Sequence, residues 1–85
     1  MTYNEHWIPV SISAGMFSSE RAISLTLANG DVVSFFADNV LLKEEAGHSL
    51  LRVFRVGGDP AQRRQRVLLP TETFETASRW VEVAI

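Results

Sequence analysis

The chain has 85 residues, a net charge of −2 and no cysteine. This length is typical of one small domain, so we expect a single domain over residues 1–85 that buries only about 60–65% of its unfolded surface. The lack of cysteine excludes disulfides, thiolate metal sites and cysteine nucleophiles, and it is typical of proteins in a reducing compartment.

The sequence indicates neither secretion nor membrane insertion. Its start is polar and lacks the basic and apolar segments of a signal peptide, and no apolar run reaches the about 18 residues that a membrane-spanning helix needs. We therefore expect a cytoplasmic protein without membrane contact. Apolar residues make up 46% of the chain, so part of the apolar surface should lie outside a core this small, which favours self-association.

The first predicted strand covers residues 6–13, where apolar and polar side chains alternate. Pro9 predicts either an edge strand or a position that faces outward from the neighbouring strand, because proline cannot donate a backbone hydrogen bond to a neighbour. In the following loop, Met16 and Phe17 are expected to fold back and cover one end of the core. The core-facing residues of this strand are predicted to be Ile8, Val10 and Ile12.

The strongest local signal is a β-hairpin turn at Asn29-Gly30. A type I′ turn needs positive φ at both central positions, which Asn and Gly tolerate best. The preceding strand, residues 21–28, alternates clearly. The following strand, residues 32–37, is apolar on both faces and carries an aromatic ring on each, so its inner face stays open. The core-facing residues before the turn are predicted to be Ile23, Leu25 and Leu27.

Two interpretations compete for residues 38–47. In one, Asp38 caps a short helix that Gly47 ends. In the other, residues 40–43 and the clear strand at residues 49–56 form a hairpin with a five-residue loop. The hairpin is favoured, because the polar segment is too short to supply an amphipathic helical face.

The last third of the chain begins with a predicted turn at residues 57–60, where glycine, aspartate and proline favour a reversal, and continues as an arginine-rich loop at residues 61–66. A short strand at residues 67–69 follows, and Pro70 ends it. These assignments place three arginines of this region on a polar loop.

Residues 71–77 predict one short helical turn, with Thr71 as its cap and Phe74 docked into the core. The last strand then covers residues 79–85. Its alternation turns Trp80 outward. The residues predicted to face the core are Val81, Val83 and Ile85.

About six short strands and one helical turn before the last strand predict an all-β fold, a small and strongly bent antiparallel barrel. The order of elements resembles that of the Src-homology-3-like barrel: a long first loop, a tight central hairpin and a helical turn before the terminal strand. The resemblance is one of element order, covers most of the chain and carries no diagnostic motif, and it assigns no function, because this kind of fold hosts many unrelated functions.

No constellation of residues predicts an enzyme, a cofactor or a metal site. His6 and His48 lack partners at metal-ligand spacing and are expected at the surface. Glu44 and Glu45 are adjacent and would point to opposite sides of an extended segment, which does not suit a paired acid and base. Gly57-Gly58 lacks the residues of a phosphate-binding loop, and no Gly-x-Ser-x-Gly motif occurs.

The aromatic residues carry the main functional hypothesis. By alternation, Trp7 and Trp80 fall on the non-core faces of the first and last strands, which lie near each other in a closed barrel, and Phe36 and Phe54 fall on the second faces of theirs. These four residues predict a hydrophobic contact surface, either a homodimer seam or a groove for another protein. The alternative is that the first loop or the helical turn covers the rings within one monomer.

A second hypothesis rests on the basic region at residues 52–66. A hairpin could bring its arginines into one patch that contacts an anion or a nucleic acid. The acidic net charge and three nearby glutamates oppose this interpretation, so a self-associating, non-enzymatic interaction module is favoured. The predicted anion-contacting residues are Arg52, Arg55, Arg63, Arg64 and Arg66.

Overall fold

The computed structural model describes residues 4–15 and 17–84 as an all-β fold. Two single 3₁₀ turns lie at Asn39–Leu41 and Pro60–Gln62. Met16 and Ile85, which were both predicted to contact the core, lie outside the described residues. The strands are β1 (Asn4–Pro9), β2 (Ser11–Ala14), β3 (Glu20–Thr26), β4 (Val32–Asp38), β5 (Leu42–Glu45), β6 (His48–Asp59), β7 (Arg64–Leu68) and β8 (Trp80–Ala84).

The strands form two antiparallel sheets that do not close into a barrel. In the five-stranded sheet, β1 pairs with one edge of β6, β5 and β7 pair with the other edge, and β8 lies beyond β7. The second sheet has the order β2-β3-β4. The prediction of an all-β fold is confirmed, whereas the closed barrel is wrong because β1 and β8 end opposite sides of one sheet instead of pairing.

The first predicted strand is divided between the two sheets. β1 is an edge strand, as one of the two interpretations of Pro9 predicted, and pairs only with β6. Val10 donates its N–H to the carbonyl of Ser49 (3.0 Å), and the chain then enters β2, which pairs with β3.

One hydrophobic core joins the two sheets, and the alternation predicted for most strands is confirmed there. The sequence did not decide which face of β4 points to the core. In the structure Phe35 is buried and Phe36 is only half-buried, because Phe35 pairs with the core residue Ile23 of β3. The core residues are Ile8, Ile23, Leu25, Val33, Phe35, Ala37, Leu51, Val53, Val67, Leu69, Val81 and Val83.

The first loop does not cover the core with Phe17, whose surface is 66% exposed. The N–H of Glu20 donates to the carbonyl of Phe17 (3.1 Å), which closes a tight turn. The side-chain amide of Asn39 donates to the carbonyl of Ser18 (3.0 Å) and ties this turn to the 3₁₀ turn after β4. The predicted role of Phe17 is therefore wrong.

The central hairpin is confirmed, but its turn is not of type I′. Gly30 has a φ of +91°, whereas Asn29 does not have positive φ. The carbonyl of Leu27 accepts from Gly30 (3.0 Å) and its N–H donates to Asp31 (2.7 Å), so the loop has three residues with glycine in the left-handed position. Asn29 instead accepts the N–H of Asp31 on its side chain (3.0 Å), a local bond typical of asparagine in turns.

Both interpretations of residues 38–47 are partly right. The carboxylate of Asp38 caps a turn by accepting the N–H of Val40 (3.0 Å), but this turn is only the 3₁₀ turn at Asn39–Leu41. The favoured hairpin follows as β5 and β6, with a two-residue loop at Ala46-Gly47 instead of five residues. Both loop residues have positive φ (+53° and +81°), so the type I′ conformation occurs here.

Replacing Ala46 by asparagine should therefore stabilise the protein. A non-glycine residue with a Cβ pays roughly 1–2 kcal/mol in the left-handed region, which asparagine visits more readily. We expect Ala46→Asn to raise the free energy of unfolding by about 1 kcal/mol, measured by urea denaturation. Ala46→Val should lower it, and a loss of stability in both variants would contradict the assigned turn.

The predicted turn at residues 57–60 and the arginine-rich loop at residues 61–66 are largely wrong. β6 continues through Gly57 and Gly58 to Asp59, with a shift of register between Arg55 and Gly57. The chain reverses at the 3₁₀ turn Pro60–Gln62, which Asp59 caps by accepting the N–H of Ala61 (3.1 Å). Because β7 already begins at Arg64, half of the predicted loop is strand.

The predicted helical turn at residues 71–77 is reduced to one hydrogen-bonded turn, in which Ala77 donates to the carbonyl of Thr73 (2.9 Å). Thr73, not Thr71, is the cap, since its buried hydroxyl accepts the N–H of Thr76 (3.2 Å). Phe74 does not enter the core and is 66% exposed.

The same segment is bound to the edge of β4. Phe74 donates its N–H to the carbonyl of Ser34 (2.9 Å), and the N–H of Ser34 donates to the carboxylate of Glu75 (2.7 Å). The bond from the Ser34 N–H lowers the pKa of the Glu75 carboxyl below its usual 4.5. These bonds direct Phe74 away from the core and cover an otherwise open strand edge.

Candidate interaction surface

The register of the five-stranded sheet places three of the four predicted aromatic residues on one face. Directly paired residues of an antiparallel sheet lie on the same face, as do residues i and i+2 of one strand. Trp7 pairs with Arg52, and Phe54, two residues later, pairs with Leu68, which in turn pairs with Trp80. We call this side, turned away from the core, the outer face.

Trp7 and Trp80 are not neighbours on the outer face, contrary to the prediction. They lie on the two end strands, β1 and β8, so three strand spacings of about 4.8 Å, about 14 Å in all, separate their backbones. The half-buried side chains of Phe54 and Leu68 lie between them. The aromatic residues therefore form an extended stripe instead of one pair.

Phe36 belongs to a different surface. It lies on the outer side of β4 in the three-stranded sheet, where Phe74 packs against it edge to face with ring centroids 5.3 Å apart. The segment before the last strand thus covers Phe36 within the monomer. This agrees with the alternative interpretation of the sequence, in which the predicted helical turn covers exposed rings.

Charged side chains flank the aromatic stripe. The Lys43 ammonium lies 4.3 Å from the centroid of the Trp7 ring and 3.2 Å from a carboxylate oxygen of Glu45. Arg52 lies over the Phe54 ring at 5.9 Å, with its Nε 3.9 Å from a Glu5 carboxylate oxygen. Cation–π contacts of this kind hold the charges against the rings while leaving the charged groups partly in water.

The predicted basic patch is divided. Arg52, Arg64 and Arg66 lie on the outer face, where Arg64 pairs with Ala84 and Arg66 with Glu82. Arg55 is exposed and lies in register with the core strand residue Val67. Arg63 follows the 3₁₀ turn in the left-handed conformation with a φ of +55°. The strand assignment of residues 64–66 explains this division.

A cleft of about 340 Å³ lies beside β8, where the outer face meets two loops. The hairpin loop closes one side by a hydrogen bond from the N–H of Ala28 to the carbonyl of Glu82 (2.9 Å). Trp80, 51% exposed, lines the cleft together with two of the predicted arginines. The lining includes Asn29, Arg64, Arg66, Thr76, Ser78, Trp80 and Glu82.

Sequence reasoning missed two kinds of residue at this surface. Leu68 and Lys43 could have been assigned to the outer face by alternation, had the pairing of β7 and β5 been known. Thr76 and Ser78 carry no such signal, because they reach the cleft from an irregular loop.

The histidines form no metal site in residues 4–15 and 17–84, which contain no cluster of three or more potential ligands. His48 is exposed as predicted. The surface assignment of His6 is wrong in part: the ring is half-buried, and its Nε2 lies 3.5 Å from the amide nitrogen of the buried Gln65. Within the same described residues, no helix is long and apolar enough to cross a bilayer.

Comparison with known proteins adds no assignment. No protein-family model, no curated protein and no solved structure matches this chain.

Proposed function

We propose that the protein is a non-enzymatic interaction module that self-associates through the outer face of the five-stranded sheet. The observation that carries this proposal is the aromatic stripe from Trp7 to Trp80, which crosses four strands and ends in a ring that is 51% exposed. Covering large apolar side chains stabilises an association by about 1.5–3 kcal/mol each when they become fully buried.

The charges of the outer face favour a second copy as the occupant. A two-fold interface brings the same surface of both subunits together, so that surface must be complementary to itself. Both cations and carboxylates lie around the stripe, and a two-fold rotation can place one sign opposite the other. The cations are Lys43, Arg52, Arg64 and Arg66, and the acids are Glu5, Glu45, Asp59 and Glu82.

The test measures molar mass by sedimentation equilibrium across the micromolar range. We expect a dimer of twice the monomer mass for the wild-type protein. Trp80→Ala should weaken the dimer about thirtyfold or more, since a large ring at an interface commonly contributes about 2 kcal/mol. Trp7→Ala at the other end of the stripe should also weaken it.

Phe74→Ala is the matched control, because Phe74 is also an exposed ring, 66% exposed, but lies on the other surface of the molecule. It should leave the dimer intact. A wild-type protein that stays monomeric at several hundred micromolar, or a dimer lost in Phe74→Ala but kept in Trp80→Ala, would refute the proposed interface. Circular dichroism confirms that each variant is folded.

The second candidate function is binding of an anion or a nucleic acid. Arg64 and Arg66 on one strand beside Trp80 support it, whereas Arg55 and Arg63 lie elsewhere. The cysteine-free composition supports a cytoplasmic location.

A further inference from the structure

We propose that the cleft beside β8 binds one nucleotide unit, with the base stacked on Trp80 and the phosphate held by Arg64 and Arg66. This proposal narrows the second candidate function to one site and one chemical class of ligand. It uses Trp80, Arg64 and Arg66, which also lie on the surface proposed for self-association, so a nucleotide and a second copy would compete for this site.

The two arginines provide the phosphate-binding groups. They are residues i and i+2 of β7 and therefore lie on the same face, with backbone positions about 7 Å apart. Within residues 4–15 and 17–84, neither forms an ion pair, although Glu82 is the register partner of Arg66. Guanidinium groups without a carboxylate partner can bind a phosphate with two parallel hydrogen bonds.

Trp80 provides the platform for the base. Half of its surface is exposed, and it is the aromatic ring that lines the cleft. Bases stack on such rings in many proteins that bind single strands, and every base has a face that can stack. An indole is also the aromatic side chain with the largest stacking surface.

The spacing of these groups suits a nucleotide. Trp80 pairs with Leu68, and Arg66 lies two residues before Leu68, so Trp80 and Arg66 are diagonal neighbours about 7–8 Å apart. A ligand with a flat ring at one end and a phosphate near the other fits this separation. The cleft volume of about 340 Å³ is at the lower end of small-ligand sites, which suits a single nucleotide.

Each of the two arginines has an acidic register partner. Asp59 of β6 pairs with Arg64 but does not line the cleft, and its carboxylate accepts the N–H of Ala61, whereas Glu82 of β8 pairs with Arg66 and lines the cleft. Because Glu82 repels a phosphate, the phosphate should lie on the side of the two guanidinium groups that faces away from Glu82.

The other polar groups of the cleft are already engaged within the protein. The Ser78 hydroxyl exchanges hydrogen bonds with the backbone of Trp80 (3.1 and 3.3 Å), and that of Thr76 contacts the Thr73 hydroxyl (2.6 Å). The side chain of Asn29 is bound to Asp31. Few groups are therefore available to read the edge of a base, and we expect little discrimination among bases.

The test follows backbone amide and indole N–H signals by two-dimensional NMR of ¹⁵N-labelled protein. Adenosine 5′-monophosphate and a single-stranded decamer of uridine are the probes, with adenosine and inorganic phosphate as partial ligands. We expect saturable shifts of the Trp80 indole and of the amides of residues 64 and 66, with the Trp7 indole unmoved where the protein is monomeric. Adenosine and phosphate alone should bind at least tenfold more weakly.

Substitutions inside and outside the cleft distinguish binding at this site from nonspecific electrostatic attraction of anions to the protein. Arg64→Gln combined with Arg66→Gln, and Trp80→Ala alone, should each lower the affinity at least tenfold. Arg55→Gln removes an exposed arginine that does not line the cleft and should leave the affinity unchanged. Equal binding by Trp80→Ala, or an equal loss in Arg55→Gln, would overturn the proposal, as would the absence of Trp80 shifts at millimolar probe in both the wild type and Trp7→Ala.

The two probes distinguish the source of the nucleotide. Binding of the monophosphate with no gain for the decamer indicates a free nucleotide, whereas much tighter binding of the decamer indicates a unit of a single strand. Both results support the site.

The titration is repeated in Trp7→Ala, which weakens the proposed dimer without changing the cleft. Binding to Trp7→Ala but not to the wild type shows that a second copy competes for Trp80. No binding in either protein overturns the nucleotide site and leaves the dimer to its own test.

Discussion

Phe35→Ala is expected to lower the free energy of unfolding by about 3–5 kcal/mol. Phe35 is 1% exposed and heads the set of the largest fully buried side chains. Its removal leaves a cavity between the two sheets, since β4 cannot approach the core without breaking its pairing with β3. Domains of this size have a total stability of about 5–15 kcal/mol. The variant should therefore unfold at a much lower urea concentration than the wild type.

Phe36→Ala is the control one residue away. Phe36 lies on the opposite side of β4, half-buried under the exposed Phe74 ring, so we expect a loss of only about 1–2 kcal/mol. Equal losses in the two variants would show that the assigned inner face of β4 is wrong.

Gly58→Ala is expected to destabilise the protein by about 1–3 kcal/mol, the usual cost of inserting an atom into a packed region. A Cβ at Gly58 would lie 2.7 Å from the carbonyl oxygen of Arg64 and 2.9 Å from the Cα of Gln65. Both are backbone atoms of the paired strand β7, so the strands must separate to accommodate the methyl group. Urea denaturation followed by tryptophan fluorescence measures the loss.

Gly57→Ala is the matched control, because a Cβ at Gly57 meets no atom within 4 Å. We expect it to be neutral or slightly stabilising, since alanine restricts the unfolded chain more than glycine does. A larger loss for Gly57→Ala than for Gly58→Ala would contradict the register between β6 and β7.

The pattern of side-chain alternation predicted much of the fold. In β3 and β8, the residues expected to face the core are buried or half-buried, apart from Ile85, which lies outside the described residues. Alternation succeeds because successive side chains of any strand point to opposite sides, whichever strand is its neighbour. Local turn chemistry was less informative, since Ala46-Gly47 adopts the conformation expected at Asn29-Gly30.

The sequence predicted which aromatic residues lie on the candidate surface, but it did not predict how far apart they are. Alternation placed Trp7, Phe54 and Trp80 away from the core, and the structure places them on one face. It could not show that Trp7 and Trp80 lie three strands apart, because that distance depends on which strands pair. The cleft was not predictable at all, since its walls come from loops about 50 residues apart in the chain.

The sequence by itself determined the class of the fold, the inner and outer side of most strands and the outward position of both indole rings. These are properties of short segments, set by the two-residue period of a strand and by the steric limits of each residue. Only the tertiary structure decided that the sheets stay open, that Phe74 lies outside and that two arginines line the same cleft as Trp80. Each of these depends on pairing between distant segments, whose free energy is the sum of many weak contacts that no short segment encodes.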